Sequence, residues 1–139
     1  MMTPQQYEEM VAAHFRQQGY SVEVTPRSND YGVDIFASKP THKLAVQVKM
    51  YGNTRRKINR EMVMQLDGAE DYFDCTKAVI VTDGEVANDA RRVATKLRIE
   101  ILFFPGSSLS EVAIPTVAPE VPKARSAGAP TFDEIWERL

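Results

Sequence analysis

One cysteine, Cys75, is all the thiol that 139 residues contain. That excludes an internal disulfide framework and fits a reducing compartment such as the cytoplasm. Just ahead of an apolar run, Cys75 reads as a small apolar filler. No stretch of the chain approaches the roughly 20 apolar residues of a membrane-spanning helix, so no membrane association is expected. The opening Thr3, Gln5 and Gln6 are polar, which gives the expectation of no signal peptide. An excess of positive charge is missing too. The net charge is -2, which argues against indiscriminate coating of nucleic acid and leaves room for a local basic patch. There is no dinucleotide fingerprint, no P-loop, and no Ser/His/Asp or Cys/His pattern, so ordinary metabolic chemistry has little support. The chain does have ordinary globular usage, with 43% hydrophobic and 26% charged residues, and enough length for one domain with a sizeable core.

The chain is organised around Asp30 to Met50, DYGVDIFASKPTHKLAVQVKM. It reads as two strands joined by a tight polar connection, Asp34 on the first, Gln47 and Lys49 on the second. Strand side chains alternate, so Gln47 and Lys49 share a face that Val46 and Val48 do not. Folding about Pro40 and Thr41 sets Asp34 opposite Gln47 and keeps it on that shared face. Two oxygen ligands and an ammonium on one face suit a hard cation and a phosphate.

Gly32-Val33-Asp34 followed by Gln47-Val48-Lys49 resembles the core of the PD-(D/E)XK nuclease superfamily, in particular its Mrr-like restriction endonuclease branch. That branch carries Gln where most relatives carry Glu, and Asp30-Tyr31-Gly32-Val33-Asp34 resembles its D-G-G-I-D turn with Tyr31 in place of one glycine. The resemblance covers roughly residues 4 to 109 in element order.

Thr3-Pro4 is a helix start, and Tyr7, Val11, His14, Phe15 and Gln18 recur at helical spacing before Gly19 closes the helix. With Val11 at the centre of the buried face, Glu8 lies about 60° off it and Glu9 about 160° away. Glu8 can therefore look toward a site at the core's edge and Glu9 cannot; the resembled branch carries an acid at this place. A first-turn Glu that merely complements the helix dipole is the plainer alternative. His14 is expected to be a packed core residue.

Tyr20 to Thr25 alternates as a strand. Tyr51 to Asn59 breaks the pattern and is basic: Arg55, Arg56, Lys57, then Arg60. Asn59 caps a helix with Met62, Val63, Leu66, Ala69 and Phe73 as its apolar positions. Cations around a helix N-terminus after the site strand form an expected phosphate-binding edge. Lys77 to Thr82 reads as a strand buried on both faces. A helix with Val86, Ala90, Val93 and Ala94 inward follows Asp83-Gly84, and Ile99 to Phe104 is the last strand. The expected fold is α/β and restriction-endonuclease-like: a central mixed five-stranded sheet with flanking helices, in the order α-β-β-β-α-β-α-β. Residues 1–109 form the nuclease-like domain, and residues 110–130, rich in Pro, Ala, Val and Ser, read as a flexible linker. Residues 131–139 read as a short amphipathic helix. Its stripe of Phe132, Ile135, Trp136 and Leu139 must dock, on its own domain or on a partner protein.

The resemblance implies a metal-dependent endonuclease that hydrolyses DNA phosphodiester bonds. Asp34 would be the principal ligand of Mg²⁺ (or Mn²⁺), Gln47 would give its amide oxygen, and the Val48 carbonyl would complete the set. Lys49 would orient or deprotonate the attacking water, and Glu8 would bind through water or hold a second ion. Asp30 is the weaker candidate, a turn residue bonded to its own backbone. DNA is the implied partner, and a homodimer is one expected state. Three alternatives stand beside this reading: a nuclease-shaped binding module that does not cut, a subunit of a larger nucleic-acid-processing assembly, and a Holliday-junction resolvase-like nuclease.

Overall fold

The computed structural model describes residues 2–25, 31–52 and 54–105. The first helix, α1 (Pro4–Gln17), begins where Thr3 and Gln6 cap each other reciprocally: the Gln6 N–H donates to Thr3 Oγ1 and the Thr3 N–H to Gln6 Oε1. It ends at Gly19, whose φ of +94° is open to glycine at little steric expense. Strands β1 (Ser21–Val24), β2 (Ile35–Lys39) and β3 (His42–Lys49) form an antiparallel meander. The β2–β3 turn falls at Pro40 and Thr41 and pairs Ile35 with Val46 and Ala37 with Leu44, which is the expected register.

After a short β4 (Lys57–Ile58) comes α2 (Arg60–Tyr72), capped by Asn59, whose side chain accepts the Met62 N–H at 2.9 Å. Then follow β5 (Lys77–Thr82), β6 (Glu85–Val86), α3 (Asn88–Leu97) and β7 (Glu100–Phe103). The main sheet has the order β1-β2-β3-β5-β7, with β3, β5 and β7 parallel. It is the expected mixed five-stranded sheet.

Each face of the sheet is covered. On one, Tyr7, Val11, Ala12 and Phe15 of α1 meet Ile35, Leu44, Val46, Val48, Val79, Val81 and Leu102. On the other, Val63, Leu66 and Ala69 of α2 and Ala90 and Ala94 of α3 meet Ala45, Ala78, Ile80 and Ile101. Covering both faces explains why β5 reads as an unbroken apolar run. His14 is half-buried and meets the Phe104 ring edge-on at 5.3 Å.

Two expectations are corrected. The basic stretch after β3 is not wholly irregular, because Lys57–Ile58 pair in parallel with Glu85–Val86 as a separate two-stranded ladder. Val86 therefore belongs to a strand and not to the following helix, which begins at Asn88. A two-residue strand is too short for any period, but Ile58, 0% exposed amid cations, betrays the inward turn. Among the described residues no helix is long and apolar enough to cross a membrane. Asp30, the 110–130 linker and the 131–139 helix with Phe132, Ile135, Trp136 and Leu139 lie outside the described residues.

Candidate functional site

The site is built where β2 begins. Val33 packs on the α2–α3 side and Ile35 on the α1 side, although unbroken alternation would put residues two apart on one face. Between them, the Asp34 N–H donates at 2.8 Å to the carbonyl of Val46, the register partner of Ile35. Two consecutive residues thus oppose one, the arrangement of a β-bulge, a device that re-aims a side chain. Alternation does not carry through Asp34 as expected; its contacts place it. The Asp34 carbonyl accepts the Thr25 N–H at 2.9 Å and the Thr25 hydroxyl at 3.2 Å, which ties the bulge to the end of β1. Its carboxylate reaches the facing strand, where Oδ2 accepts the Val48 N–H at 2.8 Å. Burial pushes the Asp34 carboxyl above the ordinary carboxylate range, opposed by the Val48 N–H and by the charge of Lys49.

Gln47 is 2% exposed. Its Nε2 donates to the Gly32 carbonyl at 3.0 Å, which fixes the amide orientation. Its Oε1 is buried and has no hydrogen-bond partner among the described residues. A buried acceptor left open costs about 1–3 kcal/mol, so this one is the natural place for a cation. Gly32 has a φ of +81°, and a Cβ there would lie 3.0 Å from Gln47 Nε2 and 2.9 Å from Gln65 Oε1. Glycine is required twice over, for its backbone angle and for the room it leaves the two amides.

Asp34, Gln47, Val48 and Lys49 are thus brought to one end of the hairpin. Glu8 is half-buried on α1 beside the fully buried Tyr7, and Glu9 is exposed. Among the described residues no three His, Cys, Asp or Glu side chains form a metal-holding group. A cation here would rest on one carboxylate supplemented by neutral oxygens. Such an oxygen-only set fits Mg²⁺ or Mn²⁺, with the Asp34 carboxylate, the open Gln47 Oε1 and the Val48 carbonyl as holders.

The basic residues Arg55, Arg56, Lys57 and Arg60 are all exposed. Arg56 lies 4.7 Å over the Tyr51 ring, Lys57 pairs with Glu85 at 3.6 Å, and Arg60 pairs with Asp89 at 3.2 Å. Exposed pairs of this kind are worth about 0–1 kcal/mol, so a phosphate can compete for these cations.

Sequence reasoning missed three residues beside the site. Gln65 of α2 lies against Gly32; polar and next to the buried Leu66, it carried no signal. Asp83, 8% exposed at the end of β5, accepts the Gly52 N–H at 2.8 Å and so fixes the turn that leads into the basic loop. Its charge adds to the burial that pushes the Tyr7 phenol far up, while that hydroxyl donates to the Phe104 carbonyl at 2.7 Å. Tyr31 stacks on Tyr72, with centroids 5.1 Å apart and planes at 17°; its place in a glycine position was the visible hint.

A restriction endonuclease family model, that of Mrr-type catalytic domains, matches residues 1–113. An uncharacterized protein, y4cE, of Sinorhizobium fredii (strain NBRC 101917 / NGR234) is 34% identical in an alignment 100 residues long that covers 64% of this chain and 26% of that protein. The chain thus spans about a quarter of the length of this curated relative. A solved structure described as a protein of unknown function, AF1548, superposes with a TM-score of 0.58 at 15% identity over 69% of this chain and 55% of that one, which is a likeness of fold. With the family model matching most of its length, the chain belongs to the restriction endonuclease family, in the Mrr-like branch of the PD-(D/E)XK nucleases.

Proposed function

We propose that this protein is a metal-dependent endonuclease that hydrolyses DNA phosphodiester bonds at the Asp34–Gln47–Lys49 site. The observation that carries the reading is the buried, open Oε1 of Gln47 at the end of the hairpin that also holds Asp34. Bound Mg²⁺, with Mn²⁺ as substitute, would supply charge neutralisation and a water of lowered pKa. Asp34 would hold the cation by its carboxylate, with Gln47 Oε1 and the Val48 carbonyl completing the holding set. Lys49 orients the attacking water or, as the neutral amine, takes its proton, and the ammonium so formed offsets the charge of the phosphate. The water oxygen bonds to phosphorus, the bond to the leaving oxygen breaks, and that oxygen is protonated from solvent. Glu8 would reach the cation through water or hold a second one. Arg55, Arg56, Lys57 and Arg60 bind flanking phosphates, each contact adding to the salt dependence of binding.

Plasmid, linear and single-stranded DNA incubated with Mg²⁺, Mn²⁺ or EDTA test this. Cleavage is expected only with metal, and Lys49→Ala is expected to lower the rate at least ~100-fold. Cutting that survives Lys49→Ala unchanged would show that another site is responsible. A second reading, a nuclease-shaped module that binds without cutting, is favoured by the single carboxylate at the site. DNA binding in EDTA with no cleavage under any metal would select it.

Gln47→Glu separates the two roles of the amide. A carboxylate cannot donate to the Gly32 carbonyl, so two acceptors would face each other in a buried position. We expect the metal-free variant to lose about 1–3 kcal/mol and to bind Mn²⁺ at least ~10-fold more tightly. Urea unfolding with and without Mn²⁺ checks the first effect, and titration calorimetry the second.

A further inference from the structure

Beside the Asp34–Gln47 site runs a strip on α2 that no step above uses. Tyr72 is 65% exposed and Tyr31, stacked on it, 47% exposed, while Phe73 braces both rings edge-on at 4.9 and 5.3 Å. The rings are therefore held rigid yet open to solvent. Gln65 lies seven positions before Tyr72, about 20° from it around the helix, and its amide rests against Gly32 beside Gln47. Between them sits Gly68, where a Cβ would meet nothing within 4 Å. An exposed helix-interior glycine is unfavourable relative to alanine, and among the described residues no neighbour requires it. An outside molecule lying close along the strip would. The strip's own residues Gln65, Gly68 and Tyr72 are uncharged, with Asp71 about 60° and Asp67 about 100° from Gly68 around the helix and Glu61, about 20° from Gly68, paired with Arg60 at 3.6 Å. At its far end the Lys43 ammonium donates to the Phe73 carbonyl at 3.0 Å, which places a positive charge at the foot of the aromatic cluster.

The geometry points to a platform for an unpaired nucleobase: the base stacks on the outer face of the Tyr31–Tyr72 pair, and Gly68 lets its nucleotide approach the helix. The substrate class is then nucleic acid with an unstacked nucleotide next to the cut, as in single strands, flaps or bulges, and not uninterrupted duplex. This deepens the nuclease reading and rests on it for the position of the cut, although not for the binding itself. Rigid flat rings suit stacking, which accepts any base because every base has a π-face.

The test is binding in EDTA, so that cutting plays no part, with the full chain and 2-aminopurine-labelled DNA as probe. A single strand, a duplex with one unpaired 2-aminopurine and the matching blunt duplex are compared. The first two are expected to bind at least ~10-fold more tightly than the blunt duplex, with quenched fluorescence. Tyr72→Ala and Tyr31→Ala are expected to weaken single-strand binding about 5- to 100-fold, and Tyr72→Phe to restore it. Gly68→Gln separates fold from function: its thermal midpoint should rise by about 2–5 °C, yet single-strand binding should fall about as far as in Tyr72→Ala. Equal affinity for blunt duplex and single strand, absence of quenching, or full affinity in the alanine variants or in Gly68→Gln would each overturn the platform. Metal-dependent cutting without preference for unpaired substrates sinks the platform alone, while unpaired-base binding without cutting leaves it intact and removes the nuclease reading.

Discussion

Asp34→Asn is expected to abolish metal binding and cleavage while leaving the metal-free protein at least as stable as the wild type. The two effects have one cause. Asp34 is largely withdrawn from water, and burial lifts its carboxyl above the ordinary range. The folded chain then holds that proton more tightly than the unfolded chain does. The corresponding stability is fully present below the unfolded carboxyl value and is lost as pH rises through the folded one. At neutral pH the ionised group therefore burdens the metal-free fold. Asparagine removes that burden, and its amide oxygen can still accept the Val48 N–H that Asp34 Oδ2 accepts at 2.8 Å. Deprotonation is also what readies the site for a cation, so metal affinity and activity should rise across the same pH window in which metal-free stability declines. Urea midpoints measured against pH for both proteins, with Mn²⁺ titrations at each pH, check this. A stability loss in Asp34→Asn, or cleavage within about 100-fold of wild type, would contradict it.

Gly32→Ala is expected to damage fold and site together. Its φ of +81° costs an L-residue about 1–2 kcal/mol. The new methyl would also lie 3.0 Å from Gln47 Nε2 and 2.9 Å from Gln65 Oε1, so one amide must move. If Gln47 turns away, its donation to the Gly32 carbonyl at 3.0 Å is lost along with its open oxygen. A total destabilisation of about 2–4 kcal/mol and loss of Mn²⁺ binding are expected. Adding Gln65→Ala should recover the steric part and leave the backbone part, a non-additivity that a double-mutant cycle measures directly. Strict additivity would show that Gln65 does not crowd the position.

Much of this was legible in the sequence for physical reasons. A strand pair with Val, Ile and Leu on alternate positions around Pro40-Thr41 has one favourable register, and Ile35 faces Val46 as expected. Thr3-Pro4 and Asn59 announced two helix starts because capping chemistry is local. The bulge at Asp34 was not legible, since it depends on what Val33 and Ile35 each find on opposite sides of the sheet. Gln65 stayed hidden because its meeting with Gly32 spans separate elements and follows no period. The β4–β6 ladder was hidden for a related reason, being two residues paired with two others across a whole helix.

The hydroxyl of Tyr7 ends on the carbonyl of Phe104, across 97 positions of chain, and the two rings also lie against each other. The opening helix therefore completes this contact only after every described strand has been made. On the ribosome α1 and the β1–β2–β3 meander can assemble early from near neighbours, while the Tyr7 hydroxyl waits for the chain beyond β7. A trimmed version of the domain that stops at Phe103 would leave a deeply buried phenol without its acceptor, so the working unit extends at least one residue past β7.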